Sequence, residues 1–219
     1  MWRDWVVQPP QFVRWLFPRS FWRSADHKRK RVFITFDDGP VPEQTPWVLD
    51  TLDHYGAKAT FFCVGDNVRK HHDIFEEIVR RGHAVGNHTF NHLPLFKAGW
   101  RAYAANVELC DAAEGGKARL FRAPHGHMTP WHAWRLTRSG SFDRIVFWDV
   151  MPKDYDNRLS GEKVLENVRR HVRPGSVIVF HDSIKAGERM RHALVGTLEM
   201  LKDEGYSFES IGDEAFRLR

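Results

Sequence analysis

RVFITFDDGP, residues 31–40, joins an apolar run directly to two acids and a turn. The run from Val32 to Phe36 has the length and composition of a buried strand. Asp37 and Asp38 follow it, and Gly39-Pro40 then predicts a tight turn. Adjacent side chains of a strand point in opposite directions, but a turn can bring both to one site. The segment therefore predicts a core strand that delivers two carboxylates to its carboxyl end.

Outward from this segment, apolar runs and helix-like stretches alternate along the chain. The further runs, each bounded by glycine, proline or charge, are Ala59 to Val64, Ala84 to Gly86, Ile145 to Trp148 and Ser176 to Phe180. Stretches with apolar residues on one helical face are Thr45 to His54, His72 to Arg81 and Gly161 to His171. This rhythm predicts parallel βαβ units in an α/β fold, as either a doubly wound sheet or a barrel.

Polar residues follow four of the apolar runs, at the strand ends where such folds bind ligands. These residues are Asp37-Asp38, Asn87-His88, 149–154 and His181-Asp182. An isolated DDGP would be interpreted as a turn and nothing more. However, His88 and His92 are four residues apart, so on one helical turn they would offer two imidazoles to a single metal. Two histidines and a carboxylate are a common catalytic zinc set, and without an intervening glutamate the pair is not the HExxH motif.

Composition and charge limit the class of protein. The 219 residues, 42% hydrophobic and 28% charged, are typical of one globular domain with a sizeable core. The formal charge of +5 could favour an anionic partner, but no nucleic-acid module signature is present, so we expect no nucleic acid partner. Cys63 and Cys110 do not indicate a disulfide framework.

Five segments of the chain form an ordered set. They are TFDDGP (35–40), HTFNH (88–92), RAPHG (122–126), the Trp148 to Tyr155 segment that holds Asp154, and VFHD (179–182). Together they resemble the motifs of the polysaccharide deacetylases, the NodB homology group also called carbohydrate esterase family 4. The resemblance runs from about Arg31 to the end, and five motifs in order are far more specific than one. It implies a distorted, TIM-like barrel of the (β/α)7 type in a single domain.

The resemblance assigns Asp37 as the catalytic base and Asp38, His88 and His92 as metal ligands. It implies hydrolysis of N-acetyl groups on a glycan that contains N-acetylglucosamine, in peptidoglycan or a chitin-like oligosaccharide. A divalent metal would polarise the acetyl carbonyl and lower the pKa of the attacking water. Zinc suits two histidines and one aspartate best, and cobalt, nickel or iron could occupy the same donors.

Four further residues complete the machinery that the resemblance implies. Arg122 would pair with Asp37 and keep it ionised and oriented. The backbone N–H of His125 would stabilise the oxyanion that forms during attack. His181 would protonate the leaving amine as the general acid, with Asp154 as the carboxylate that orients it.

The walls of the predicted substrate pocket are Pro124, Trp148, Tyr155 and Val179. Trp148 and Val179 suit the apolar recess expected for the acetyl methyl group. The chain departs from the family's motifs at two positions, because His125 replaces an aromatic residue and Tyr155 replaces a tryptophan. Both changes reshape the walls of the sugar site. His125 or His127 could reach the metal, although we favour a wall or surface role for them.

Residues 1–27 form a tryptophan- and arginine-rich extension before a catalytic domain at residues 28–219. Charged residues interrupt the apolar stretches of the extension, so no signal peptide or membrane span is predicted. We therefore expect a cytoplasmic protein, with a membrane-associated or exported form as the alternative. Peripheral membrane contact through residues 1–24 suits this composition, but we favour an arm packed across its own domain.

Other functions remain open at this point. The same centre could act as an esterase or amidase on another acylated substrate, such as O-acetyl xylan or a small imide. The altered third and fourth motifs also allow a catalytically weak barrel that binds glycans. A glycosidase is disfavoured, because Asp37 and Asp38 are adjacent rather than across a scissile bond. We expect a monomer.

Overall fold

The computed structural model describes residues 7–212, in which a curled parallel sheet is surrounded by helices. The strands are β1 (Ser20–Phe21), β2 (Arg31–Asp37), β3 (Ala59–Cys63), β4 (Ala84–Asn87), β5 (Leu120–Phe121), β6 (Arg144–Val146), β7 (Val177–His181) and β8 (Ser207–Phe208). The helices are α1 (Gln11–Trp15), α2 (Thr45–Tyr55), α3 (Gly65–Lys70), α4 (His72–Arg80), α5 (Trp100–Ala113), α6 (Pro130–Arg138), α7 (Gly161–His171) and α8 (Gly187–Asp203). Single 3₁₀ turns lie at Leu95–Lys97 and Pro124–Gly126.

The strands pair in the order β1-β6-β5-β4-β3-β2-β7, all in parallel, and β8 pairs with the start of β2. Beyond β6, Val150 forms a parallel bridge with Ile178. The chain after β6 therefore pairs with β7, the strand at the opposite edge of the sheet. Strands from both ends of this order fill one interior cluster, which includes Phe21, Phe33, Phe62, Leu120, Val146 and Val177. Only a strongly curled sheet allows these contacts. The predicted distorted barrel is confirmed, and a doubly wound sheet is excluded.

The central strands are apolar along their whole length because both of their faces are covered. Every residue of β2 and β3 is buried, and successive side chains enter the barrel interior and the layer under the helices in turn. The outer layer stacks Phe36 between Phe61 and Phe180, with ring centroids 5.0 and 6.2 Å apart. Full burial of one such ring contributes about 1.5–3 kcal/mol. This packing fixes the strand ends that carry the site.

All five predicted strands are present, and their ends differ from the prediction by at most two residues. The run predicted from Ile145 to Trp148 is shorter in the structure, because the ladder with β5 ends before Phe147. The Gly161–His171 helix is found with the predicted bounds. The two-residue strands β1, β5 and β8 were not predicted.

The described part of the N-terminal extension packs on the barrel. β1 pairs with β6, and the Trp22 ring stacks on Phe147 with a centroid separation of 4.1 Å. Arg14 donates a 2.5 Å hydrogen bond to the buried carboxylate of Asp149. The first six residues of the extension lie outside the described residues. Between residues 7 and 212, no helix is long and apolar enough to cross a bilayer.

Candidate active site

The turn after β2 presents two carboxylates to one cleft. Asp37 ends the strand and is buried, while Asp38 adopts a left-handed backbone with φ of 82°. Such a backbone is unfavourable for a residue other than glycine and persists only where its surroundings hold it. Asn67 Nδ2 donates to the Asp38 carbonyl oxygen at 2.8 Å. The Gly39 N–H donates to Asp182 Oδ1 at 3.0 Å. These contacts hold the Asp38 carboxylate on the same side of the turn as the Asp37 carboxylate.

Asp182 supports this turn from beneath, a role that the sequence did not reveal. Its carboxylate is fully buried and also accepts a 2.5 Å hydrogen bond from the Thr45 hydroxyl. A Cβ on Gly39 would lie 2.1 Å from Asp182 Oδ2, so a larger residue cannot replace that glycine without movement. The only sequence signal is that Asp182 adjoins His181 at the end of an apolar run.

Asp38, His88 and His92 form a group that could hold a metal ion. One ligand atom from each residue lies within 4.8 Å of the others. Asp38 Oδ1 is 3.2 Å from His92 Nε2 and 3.8 Å from His88 Nε2. Among the described residues, no other group of this kind is found. Neither His125 nor His127 belongs to it.

The prediction that His88 and His92 share a helical turn is wrong. They lie in a loop after β4, in which Thr89 and His92 have φ of 65° and 56°. Asn87 Oδ1 accepts from the Thr89 N–H at 2.9 Å, and the Thr89 hydroxyl accepts from the Leu93 N–H at 3.0 Å. Side-chain hydrogen bonds of this type compete with helix formation. The loop nevertheless brings the two imidazoles together, with ring centroids 5.1 Å apart.

His88 is prepared to bind a metal by its surroundings. Its Nδ1 lies 2.8 Å from the Arg122 carbonyl oxygen, so Nδ1–H donates and Nε2 keeps its lone pair on the side of Asp38. Burial lowers the pKa of His88 to about 4, even though the carboxylate of Asp37 acts to raise it. The imidazole is therefore neutral at neutral pH, as a metal ligand must be.

Asp37 is fixed as a carboxylate by Arg122. Arg122 Nη1 donates to Asp37 Oδ1 at 2.6 Å and to the Thr35 hydroxyl at 2.8 Å. The guanidinium is 1% exposed and lies 4.1 Å above the Phe62 ring centroid. Burial acts to raise the pKa of Asp37, but the charge of Arg122, with help from His88, outweighs it, so the pKa is lowered. Asp37 is thus ionised at neutral pH and can accept a proton.

His181 is a partly buried cation beside Asp37. The β2–β7 register pairs Asp37 with His181, the last residues of the two strands. Asp154 Oδ1 lies 2.8 Å from His181 Nδ1, and its Oδ2 accepts from the His181 backbone N–H at 2.7 Å. Burial acts to lower the pKa of His181, but the charge and hydrogen bond of Asp154 outweigh it and raise the pKa to about 10. His181 therefore carries a proton that it can donate at neutral pH.

Asp154→Asn is expected to move the alkaline limb of the pH profile of kcat/KM to lower pH. Without the Asp154 charge, the pKa of His181 falls from about 10 towards its ordinary value of 6.5. The protonated acid is then lost at a lower pH, whereas the wild type keeps it well into the alkaline range. Acetate release measured across the neutral and alkaline range checks this, and an unshifted alkaline limb would count against His181 as the acid.

One cavity of about 410 Å³ joins Asp37, His181 and the Asp38–His88–His92 group. Its lining residues are Asp37, Asp38, His88, His92, Ala123, His125, Gly126, Trp148, Met151, Tyr155, His181, Ser183 and Lys185. Trp148 and Tyr155 line it as predicted. Pro124 and Val179 are buried and are not among its lining residues, because Val179 lies deeper along β7 than His181. Met151, Ser183 and Lys185 were not predicted as lining residues. Met151 lies within the Trp148 to Tyr155 segment, whereas Ser183 and Lys185 lie outside the five segments.

The His125 backbone lies at the mouth of the cavity in a tight turn. Its φ of 58° is left-handed, and the following Gly126 and His127 N–H groups donate to the carbonyls of Ala123 and Pro124. No backbone hydrogen bond between described residues uses the His125 N–H. The His125 ring is turned to His92, with centroids 4.7 Å apart. The turn thus leaves one backbone donor for a ligand in the cavity.

Known proteins share this architecture. A family model described as polysaccharide deacetylase matches residues 24–140. A peptidoglycan-N-acetylglucosamine deacetylase of Bacillus cereus is 29% identical, over 94% of each chain. A chitooligosaccharide deacetylase of Sinorhizobium fredii is 36% identical over 72% of this chain and 74% of its own. Among solved structures, a peptidoglycan N-acetylglucosamine deacetylase in complex with an N-oxidanyl-benzamide aligns with a TM-score of 0.82 and 29% identity, over 92% of this chain and 94% of that one.

Proposed function

Since the chain belongs to the polysaccharide deacetylase family, we propose that it hydrolyses N-acetyl groups on peptidoglycan or a chitin-like oligosaccharide, with zinc as its metal. Relatives named for both substrates support this range. The observation that carries the proposal is the meeting of Asp37, His181 and the Asp38–His88–His92 group in one cavity. Hydrolysis of an amide needs a base, an acid and an electrophile at one carbonyl.

Asp37 acts as the base. Its carboxylate is held by Arg122 on one oxygen, while the other oxygen is 4.0 Å from His88 Nε2. This second oxygen is the one that can take the proton from a water molecule as it attacks the acetyl carbon. A divalent ion held by Asp38, His88 and His92 would supply Lewis-acid polarisation of the carbonyl and lower the pKa of water.

His181 acts as the acid when the amide bond breaks. Nδ1 is occupied by Asp154, so Nε2–H is the group that donates a proton to the leaving nitrogen. The C–N bond breaks as the new C–O bond is retained, and the products are acetate and a free amine on the sugar. Asp154 holds the ring through Nδ1 and steadies its charge between turnovers.

The His125 N–H is the protein's own donor for the oxyanion. Its contribution is through the backbone, so the replacement of an aromatic residue by histidine leaves it intact. One such donor typically contributes about 2.7–4 kcal/mol to the transition state. Trp148 and Tyr155 supply the flat apolar walls for the sugar and the acetyl methyl group.

Zinc is the proposed metal because the donors are two imidazole nitrogens and one carboxylate oxygen. Three protein ligands with open positions are typical of catalytic rather than structural zinc sites. Cobalt, nickel and iron accept the same donors, so reconstitution of the metal-free protein with each ion separates them.

A substrate panel tests the proposed function. In buffer with zinc, we expect acetate release from chitin oligosaccharides or peptidoglycan, with one new amine per acetate and no new reducing ends. Acetate from O-acetyl xylan alone would replace the proposal with an esterase. Binding to the glycans without any acetate release would replace it with a binding barrel.

A further inference from the structure

Large apolar side chains project outward at the end of α1. Trp15 is 73% exposed and Leu16 57% exposed, and neighbouring Phe12 is 51% exposed. A single exposed apolar residue is ordinary, but several together mark an interaction site.

The exposure of Trp15 is fixed by its neighbours. On one side, Arg14 turns inward to the fully buried Asp149, which also accepts hydrogen bonds from Arg173 at 2.7 Å and Ser176 at 2.7 Å. On the other side, Phe17 is buried, with its ring centroid 4.9 Å from that of Phe147. Trp15 and Leu16 therefore cannot turn into the core without breaking a buried ion pair.

Helix α6 displays a second pair of tryptophans. Trp131 is 49% exposed and Trp134 is 46% exposed. The Arg135 guanidinium lies 4.9 Å from the Trp131 ring centroid, and that of Arg138 lies 5.1 Å from the Trp134 ring. The pattern is again an exposed indole beside an arginine.

Both groups cover the same side of the barrel. Phe17, Ala133 and Leu136 are buried in one hydrophobic cluster, against which Val13 also packs. Val13 of α1 and Ala133 and Leu136 of α6 thus pack on one cluster beside the paired strands β1 and β6, and the exposed residues of both helices lie outside it. We refer to Trp15, Leu16, Trp131 and Trp134 with the arginines around them as the aromatic-basic face.

The two segments that form this face carry side-chain charge of one sign. Residues 7–25 and residues 115–142 contain no aspartate or glutamate. In the same two segments, the exposed arginines include Arg19, Arg135 and Arg138. Arg14 is neutralised by Asp149, but these three form no ion pair with a described residue. These arginines attract anions, although Glu108 and Asp111 of α5 border the face at a cavity that they share with Arg135.

We propose that the aromatic-basic face docks on an anionic phospholipid surface. Tryptophan prefers the membrane interface, where its ring is apolar and its N–H stays hydrated, and arginine adds attraction to anionic headgroups. A neutral glycan strand would gain no electrostatic attraction from the arginines of this face. The inference goes beyond deacetylation and does not depend on it, because the face lies outside the catalytic cavity.

Vesicle co-sedimentation of the full chain tests the proposal. We expect binding to vesicles of equal parts phosphatidylglycerol and phosphatidylcholine, and weaker binding to phosphatidylcholine alone. Binding should be lost at about 1 M salt, where the Debye length is about 3 Å. The double variants Trp15→Ala/Leu16→Ala and Trp131→Ala/Trp134→Ala should each weaken binding by about tenfold. Arg19→Gln should weaken it by about fivefold.

Controls separate docking from misfolding and from catalysis. Ile184→Ala removes a side chain that is 69% exposed outside the face and should leave vesicle binding unchanged. The Trp15→Ala/Leu16→Ala variant should keep its circular dichroism spectrum and its rate of acetate release from a soluble oligosaccharide. Equal binding of wild type and both double variants would overturn the proposal. The proposal would also be overturned if the wild type bound insoluble chitin or peptidoglycan but no vesicles, and if the double variants lost that glycan binding.

Discussion

Asp37→Asn is expected to lower kcat for acetate release by about 10²–10⁴-fold while the protein keeps its metal. The amide has the shape of the carboxylate but cannot accept the proton of the attacking water. Asp37 is not in the metal-binding group, so Asp38, His88 and His92 keep their positions. The measurement is single-turnover acetate release, paired with metal analysis of the same sample.

A matched control separates lost chemistry from lost stability. Asn at position 37 leaves the buried Arg122 without its counter-charge, so a lower Tm is expected as well. Asp143→Asn breaks an exposed Asp–Arg pair, with Arg119 at 2.7 Å, and should leave both kcat and Tm nearly unchanged. Acetate release by the folded Asp37→Asn protein at the wild-type rate would refute the base assignment.

His88→Ala is expected to remove both the bound metal and the activity. The variant keeps only Asp38 and His92 of the three donors and loses the one whose ring is fixed by a backbone carbonyl. Because a Lewis-acid metal contributes several kcal/mol to such a reaction, the rate should fall by about a thousandfold or more. Metal content after dialysis and the rate of acetate release are measured together.

His72→Ala is the matched control for this loss. His72 lies on α4 with its side chain 61% exposed, 3.6 Å from Glu76, and is not one of the residues that line the cavity. Its replacement should change neither metal content nor rate. Retention of a full equivalent of metal by His88→Ala would show that the metal binds elsewhere.

The central strands were predictable because runs of consecutive apolar residues indicate that they are buried. β2 and β3 are covered on both faces, so they appear as unbroken apolar runs. The two-residue strands β1, β5 and β8 carry no such signal, since their pairing depends on register with neighbours distant in sequence. The barrel itself followed from the resemblance and not from periodicity.

Within the site, residue types were predicted better than backbone conformation. The spacing of His88 and His92 suggested a helix, whereas left-handed backbone at Thr89 and His92 achieves the same meeting of the rings in a loop. Asp182 and Lys185 were not assigned roles, because their proximity to the turn and the cavity arises only when β7 pairs with β2. No local sequence pattern predicts that pairing.

Metal titration of the metal-free protein, with acetate release from an N-acetylated chitin oligosaccharide as the readout, tests whether Asp38, His88 and His92 hold the catalytic metal. The site built from Asp38, His88 and His92 predicts that the rate rises with added zinc and stops rising at about one equivalent per chain. Acetate release at the full rate in the presence of a chelator, before any zinc is added, would contradict this prediction.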